Sequence, residues 1–94
     1  MGVQEALADL GSTADEVAAS LRYRGIKGSI DDPCGCPIAN YIKSLGYGYA
    51  SVGGGFAYAA RDDIRLATEC LPLPGPVQQF IRAFDNRAYP DLNE

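Results

Sequence analysis

The chain changes its hydrophobic period twice, and each change predicts a change of secondary structure. Val3, Leu7 and Leu10 share one helical face, and Gly11 offers a C-terminal cap. Thr13 and Glu16 stand three apart as a capping box, in which each side chain can satisfy a backbone donor at the other's position. Val17, Ala18 and Leu21 then form an apolar stripe that stops at Gly25, with Ile26 placed to pack back on it. Residues 27–36, KGSIDDPCGC, hold Gly28, Pro33 and Gly35 and read as a loop. Pro37 suits a first helical turn, where an N–H would have no partner. Ile38, Tyr41, Ile42 and Leu45 follow at i, i+3, i+4 and i+7, and Gly46 ends that helix.

From Tyr47 the period becomes two. GYASV and FAYAAR flank Gly53-Gly54-Gly55, which predicts a β-hairpin with a glycine turn. After Asp62-Asp63, IRLATEC alternates Ile64, Leu66, Thr68 and Cys70 against Arg65, Ala67 and Glu69, which predicts a third antiparallel strand. LPLPGP breaks the pattern, and Gly75-Pro76 opens a last helix with Val77, Phe80, Ile81 and Phe84 on its apolar face. Pro90 cannot continue that helix, while Tyr89 and Leu92 are placed to tuck against the body. The expectation is a single small α+β domain over residues 1–94. Its order is α-α-α-β-β-β-α, with the helices covering one face of a three-stranded meander.

Composition narrows the setting. A 94-residue chain with 47% hydrophobic residues has enough apolar side chains for one core, and every apolar face is needed to build it. Eight basic against twelve acidic residues give a net charge of −4, which exerts no long-range pull on nucleic acid. No apolar run nears the roughly 20 residues of a membrane span. MGVQEALADLG has neither the basic region nor the apolar stretch of a signal peptide, and Ala6 stands where a myristoylation signal wants Ser or Thr. Three cysteines, an odd number, with no secretion signal fit a reducing compartment, so a cytoplasmic protein is expected.

Candidate chemistry is sparse. Structural zinc wants four ligands, and the chain offers three thiols and no histidine, so no metal or other cofactor is expected. The same lack of histidine removes the usual base for a nucleophile. Cys36 precedes a helix N-terminus, where the dipole can lower a thiol's pKa, which makes it the candidate reactive thiol for a sensor or enzyme. The plainer expectation is that Cys36 caps the helix while Cys34 and Cys70 are small buried apolar groups. The triple glycine leads from strand to strand rather than into a helix, so it reads as a hairpin tip and not a phosphate cradle. Asp31-Asp32 and Asp62-Asp63 read as turn formers.

Helix-helix-helix-hairpin is also the order of a winged helix, which makes DNA binding the alternative function. Its reading helix, PIANYIKSL, would offer only Asn40, Lys43 and Ser44, with Arg61 and Arg65 added from the sheet. A reader normally brings several more polar contacts. Tyr47, Tyr49 and Tyr58, grouped with Gly54 at the hairpin tip, form the candidate interaction surface, since half-exposed tyrosines on a sheet give contact area at low entropic cost. Sheet edges add homo-oligomerisation as a related expectation.

TADEVAASLRYRGIKG, DPCGCPIANYI and LPGPVQQFIRAFDNRAYPDL, in that order, resemble a group of small proteins from actinobacteria and their phages. The likeness carries no catalytic residue. It implies a compact cytoplasmic protein, and the phage setting favours a factor that binds a host protein. The expected function is therefore a non-enzymatic protein-interaction module, a phage-encoded modulator of a host protein.

Overall fold

A computed structural model describes residues 3–30, 32, 34–53, 55–60 and 69–93 of the chain. The element order is the expected one: α1 Val3–Ala8, α2 Ala14–Tyr23, α3 Pro37–Ser44, β1 Tyr49–Gly53, β2 Phe56–Ala60, β3 Glu69–Pro72 and α4 Gly75–Asp85, then a single 3₁₀ turn over Pro90–Leu92. The strands form an antiparallel meander in the order β1-β2-β3.

The helix starts form as their sequences dictate. Thr13 caps α2, its Oγ1 accepting from the Glu16 N–H at 3.1 Å. Glu16 reaches one residue further back than a capping box requires, its Oε1 accepting from the Ser12 N–H at 2.9 Å. Cys36 caps α3, with Sγ accepting from the Ala39 N–H at 3.4 Å and Pro37 in the first turn.

The third strand departs from the expected span. It runs Glu69–Pro72, while residues 64–68 of the expected strand lie outside the described residues. Leu71 and Pro72, read from sequence as part of a break, continue the ladder because each fits its place in it. Leu71 pairs with Ala57 on the helix-covered side, and Pro72 pairs with Phe56. The Leu73 N–H donates to the Gly55 carbonyl at 3.0 Å, which fixes the alternation: Leu71 and Glu69 bond inward to β2, whereas Pro72 and Cys70 turn their backbone outward. A proline is tolerated there because no donor is needed. At the hairpin, Gly53 pairs with Phe56, so the turn is two residues and Gly53 belongs to the strand.

One apolar cluster joins all the elements except the outer side of the sheet. Leu7, Leu10, Leu21, Ile38, Ile42, Phe80 and Phe84 are each at most 1% exposed, and they meet the sheet's inner residues Ala50, Val52, Ala57 and Ala59. Phe80 stacks on Phe84 and Tyr89, with centroids 5.8 and 5.2 Å apart. The C-terminal tail closes over α2. Leu92 is buried, the Tyr89 hydroxyl donates to Asp15 at 2.8 Å, and the Arg22 guanidinium forks onto the Asp91 carboxylate while lying 5.7 Å from the Tyr89 ring.

Gly28 lies where the tail, the 27–36 loop and the start of α3 meet. It is buried, its N–H donates to the Leu92 carbonyl at 2.9 Å, and it bridges Asn93. A Cβ on it would collide with backbone atoms of Gly35, Cys36 and Pro37. Gly28→Ala is therefore expected to cost about 2–4 kcal/mol by urea unfolding, against little for Gly53→Ala, where a Cβ meets open space. Near-equal midpoints for the two variants would disprove the crossing as a constraint.

The tail also sets a pH dependence. Its hydrogen bond to Arg22 holds the Asp91 carboxyl below the usual carboxylate range. A group with its pKa lowered by folding contributes stability above its unfolded value of about 4, and that contribution is lost as pH falls through the folded value. The stability gap between wild type and Asp91→Asn should stay constant near neutrality and close as pH falls below the unfolded value and through the lowered folded one, as measured by urea titration. It should be small throughout, because the pair is about half exposed.

Candidate functional site

The two faces of the sheet differ sharply, and the difference begins in the alternation of FAYAA. Two of its alanines, Ala57 and Ala59, face the helices, while its rings, Phe56 and Tyr58, face away with the buried Ala60 and stand 45% and 43% exposed. Cross-strand pairing extends the outer face: Tyr58 lies between Ser51 of β1 and Cys70 of β3, and Phe56 between Gly53 and Pro72. The result is an aromatic ridge on the central strand with small residues on both sides. None of these six residues carries a carboxylate, ammonium or guanidinium group.

The candidate surface is thus partly regrouped. Tyr49 pairs with Ala60, which puts it diagonal to Tyr58 on the outer face, half-buried. Tyr47 does not belong to that face. It precedes β1, is 7% exposed, packs in the core and donates its hydroxyl to Glu69 at 3.1 Å, because the bend at Gly48 breaks the alternation that sequence alone extends back to it. Gly54 lies outside the described residues. Ser51, Gly53, Phe56, Cys70 and Pro72 are the residues of this face that sequence reading missed. The available signal was FAYAA itself, where alanine marks the side against which helices pack closely.

The cysteines also divide differently from expectation. Cys34 and Cys70 are exposed, not buried: Cys34 sits in the turn before α3, and Cys70 falls on the outer side of the sheet. Cys36 is 5% exposed, and burial pushes its thiol up, outweighing the Ala39 and Ile38 N–H groups that favour the thiolate. Asp32 forms the turn, its Oδ1 accepting from the N–H groups of Cys34 and Gly35 at 3.2 and 3.1 Å. Among the described residues no three His, Cys, Asp or Glu side chains are grouped to hold a metal ion.

The side chains named for DNA reading are engaged locally. Asn40 Nδ2 donates to the Lys27 and Gly35 carbonyls at 2.7 and 3.2 Å, Lys43 Nζ to the Cys34 carbonyl at 2.6 Å, and Ser44 Oγ to the Tyr41 carbonyl at 2.5 Å. Arg61 and Arg65 lie outside the described residues. A cleft of about 400 Å³ opens between the hairpin tip and α4, lined by Gly53, Gly55, Gln78, Ile81 and Arg82 among others. Its described lining holds one carboxylate, Asp85, and no nucleophile.

The two edges of the sheet differ in what they offer a further strand. On β1, Ala50 and Val52 are 0% and 5% exposed. On β3, the outward backbone belongs to Cys70 and to Pro72, which has no N–H to give. Among the described residues no helix is long and apolar enough to cross a membrane. No protein-family model, curated protein or solved structure matches the chain.

The geometry orders the three thiols. Under limiting iodoacetamide at neutral pH, Cys34 and Cys70 are expected to label at least about tenfold faster than Cys36, followed by peptide mass spectrometry. A Cys36 that labels first would mean that its thiolate is favoured and its burial breached.

Proposed function

We propose that this chain is a non-enzymatic protein-interaction module and that the outer face of its sheet is the contact surface. One observation supports the reading above the others: Phe56 and Tyr58 stand nearly half exposed on the outer face, while Ala57 and Ala59 between and beside them point inward. A sheet normally buries its larger apolar side chains, and a contiguous apolar patch left in water marks a docking site. Aromatic side chains supply most of the energy of such contacts. The likeness of TADEVAASLRYRGIKG and DPCGCPIANYI to actinobacterial and actinophage proteins favours a host protein of those bacteria as partner, met in the cytoplasm. The buried β1 edge weighs against strand addition on that side.

Cys70 provides a handle inside the face. A Cys34→Ser chain carrying a benzophenone on Cys70, irradiated in actinobacterial lysate, should yield a discrete crosslinked protein. Phe56→Ser/Tyr58→Ser should abolish that product, with unchanged circular dichroism and urea midpoint showing that the fold persists. Absence of any discrete product, or a product indifferent to the double substitution, would sink the reading.

A further inference from the structure

We infer that the cleft between the hairpin tip and α4 binds the carboxyl-terminal residue of an extended peptide, one that ends in an aliphatic side chain. This contact is separate from the outer face and goes beyond the reading given for it. The cleft volume of about 400 Å³ lies in the lower part of the range of about 300–1,000 Å³ that ligand sites occupy. Its polar groups come from successive turns of α4. Gln78, Arg82 and Asp85 stand at i, i+4 and i+7, so they share one stripe beside the apolar Ile81. Gln78 is already oriented. Its Nε2 donates to the Leu73 carbonyl at 2.8 Å, which leaves Oε1 beside Gly55, 3.5 Å from where a Cβ on that glycine would stand. Arg82 is exposed, and its guanidinium meets no acceptor among the described residues.

A fixed acceptor, a guanidinium fork one turn on, and the apolar Leu73 and Ile81 together define the ligand. The fork matches a carboxylate bidentately. The acceptor takes an N–H, and the aliphatic pair takes a branched alkyl group. The last residue of a peptide offers all three within one residue's length. Gly53 and Gly55 line the opposite side without side chains, so the main chain of the ligand can pass close to the hairpin. Other chemistry fits less well. A nucleobase finds no aromatic ring in the described lining to stack on. Asp85 in the lining and the net charge of −4 oppose a doubly charged anion, which leaves a monocarboxylate for the single arginine.

The test uses the intact protein and a short peptide ending in Ala-Leu with a free carboxyl group, labelled with a fluorophore at its amino end and followed by anisotropy. Wild type should bind it, and the same peptide with a carboxamide end should bind at least about tenfold more weakly. Arg82→Gln should weaken the acid peptide by at least about tenfold and erase the preference for acid over amide. Its urea midpoint should match wild type, because the guanidinium bonds to nothing in the described fold. Tyr58→Ser, on the outer face, should bind the peptide as wild type does. N-acetyl-leucine has the same end group without the chain and should bind at least about tenfold more weakly than the peptide. No binding at about 1 mM peptide, equal affinity for acid and amide, a preference that survives Arg82→Gln, loss of binding in Tyr58→Ser, or displacement by inorganic phosphate would overturn the inference. Equal affinity for N-acetyl-leucine would overturn it too, since the ligand would then be a free acyl amino acid. If the peptide fails while the Cys70 crosslink succeeds, the cleft is wrong and the outer-face reading stands; if the peptide binds while the crosslink fails, the cleft stands without that reading.

Discussion

The crossing at Gly28 is the constraint on which the rest of the fold depends. Three segments pass through one point: the loop after α2, the start of α3 that follows it, and the C-terminal tail, distant in sequence from both. Each is tied to the others by backbone bonds, from Gly28 to Leu92 and from the Ser29 N–H to the Gly35 carbonyl at 2.8 Å. Asn40 adds its amide to Lys27 and Gly35, which locks the first turns of α3 to the loop. The position of α3 then decides where β1 can lie, because Ile38 and Ile42 are buried in the same cluster as Ala50 and Val52. A side chain at residue 28 would separate these segments and leave backbone groups buried without partners, which is more costly than losing an apolar contact of the same size.

That placement explains the chemistry of the sheet. Helices held close to a sheet need small residues beneath them, and Ala50, Ala57 and Ala59 provide that on the inner face. The large apolar side chains of the core come from the helices instead, chiefly Phe80, Phe84, Ile38 and Ile42. Rings on the strands have no room inside and stand on the other face. A 94-residue chain has few apolar side chains to leave in water, so Phe56 and Tyr58 represent hydrophobic stabilisation forgone in the isolated protein. Burial against a partner would recover it.

Much of this fold was legible in the sequence where the determinants are local. Thr13, Glu16, Cys36 and Pro37 mark helix starts by their own hydrogen bonding, and the change of period at the hairpin marks the meander. The strand boundaries were less legible because pairing decides them: Leu71 and Pro72 belong to β3 through what stands opposite, not through their own propensity. The candidate surface suffered from the same limit. Alternation says that Phe56 and Tyr58 share a face but not which face the helices cover, and a bend at one residue, Gly48, moves Tyr47 from that face into the core. Cys70 went astray with them, since a small apolar side chain carries no mark of the side on which it falls.

The Cys-Gly-Cys-Pro turn shows how burial can reverse an effect that position alone suggests. At a helix N-terminus the backbone N–H groups of Ile38 and Ala39 favour a thiolate at Cys36. The same position lies beneath the loop and against the core, so water is excluded from the sulfur, and the carboxylates of Asp85 and Asp32 add to the disfavour of negative charge. Desolvation outweighs the dipole, and the thiol stays protonated as a weak acceptor for Ala39. A cap of this kind satisfies one backbone donor without placing a strongly hydrated group in the core, which serine or aspartate would do. The turn is therefore matched to its burial beside Gly28, and the Cys36 sulfur fits that place as a cap for the Ala39 N–H.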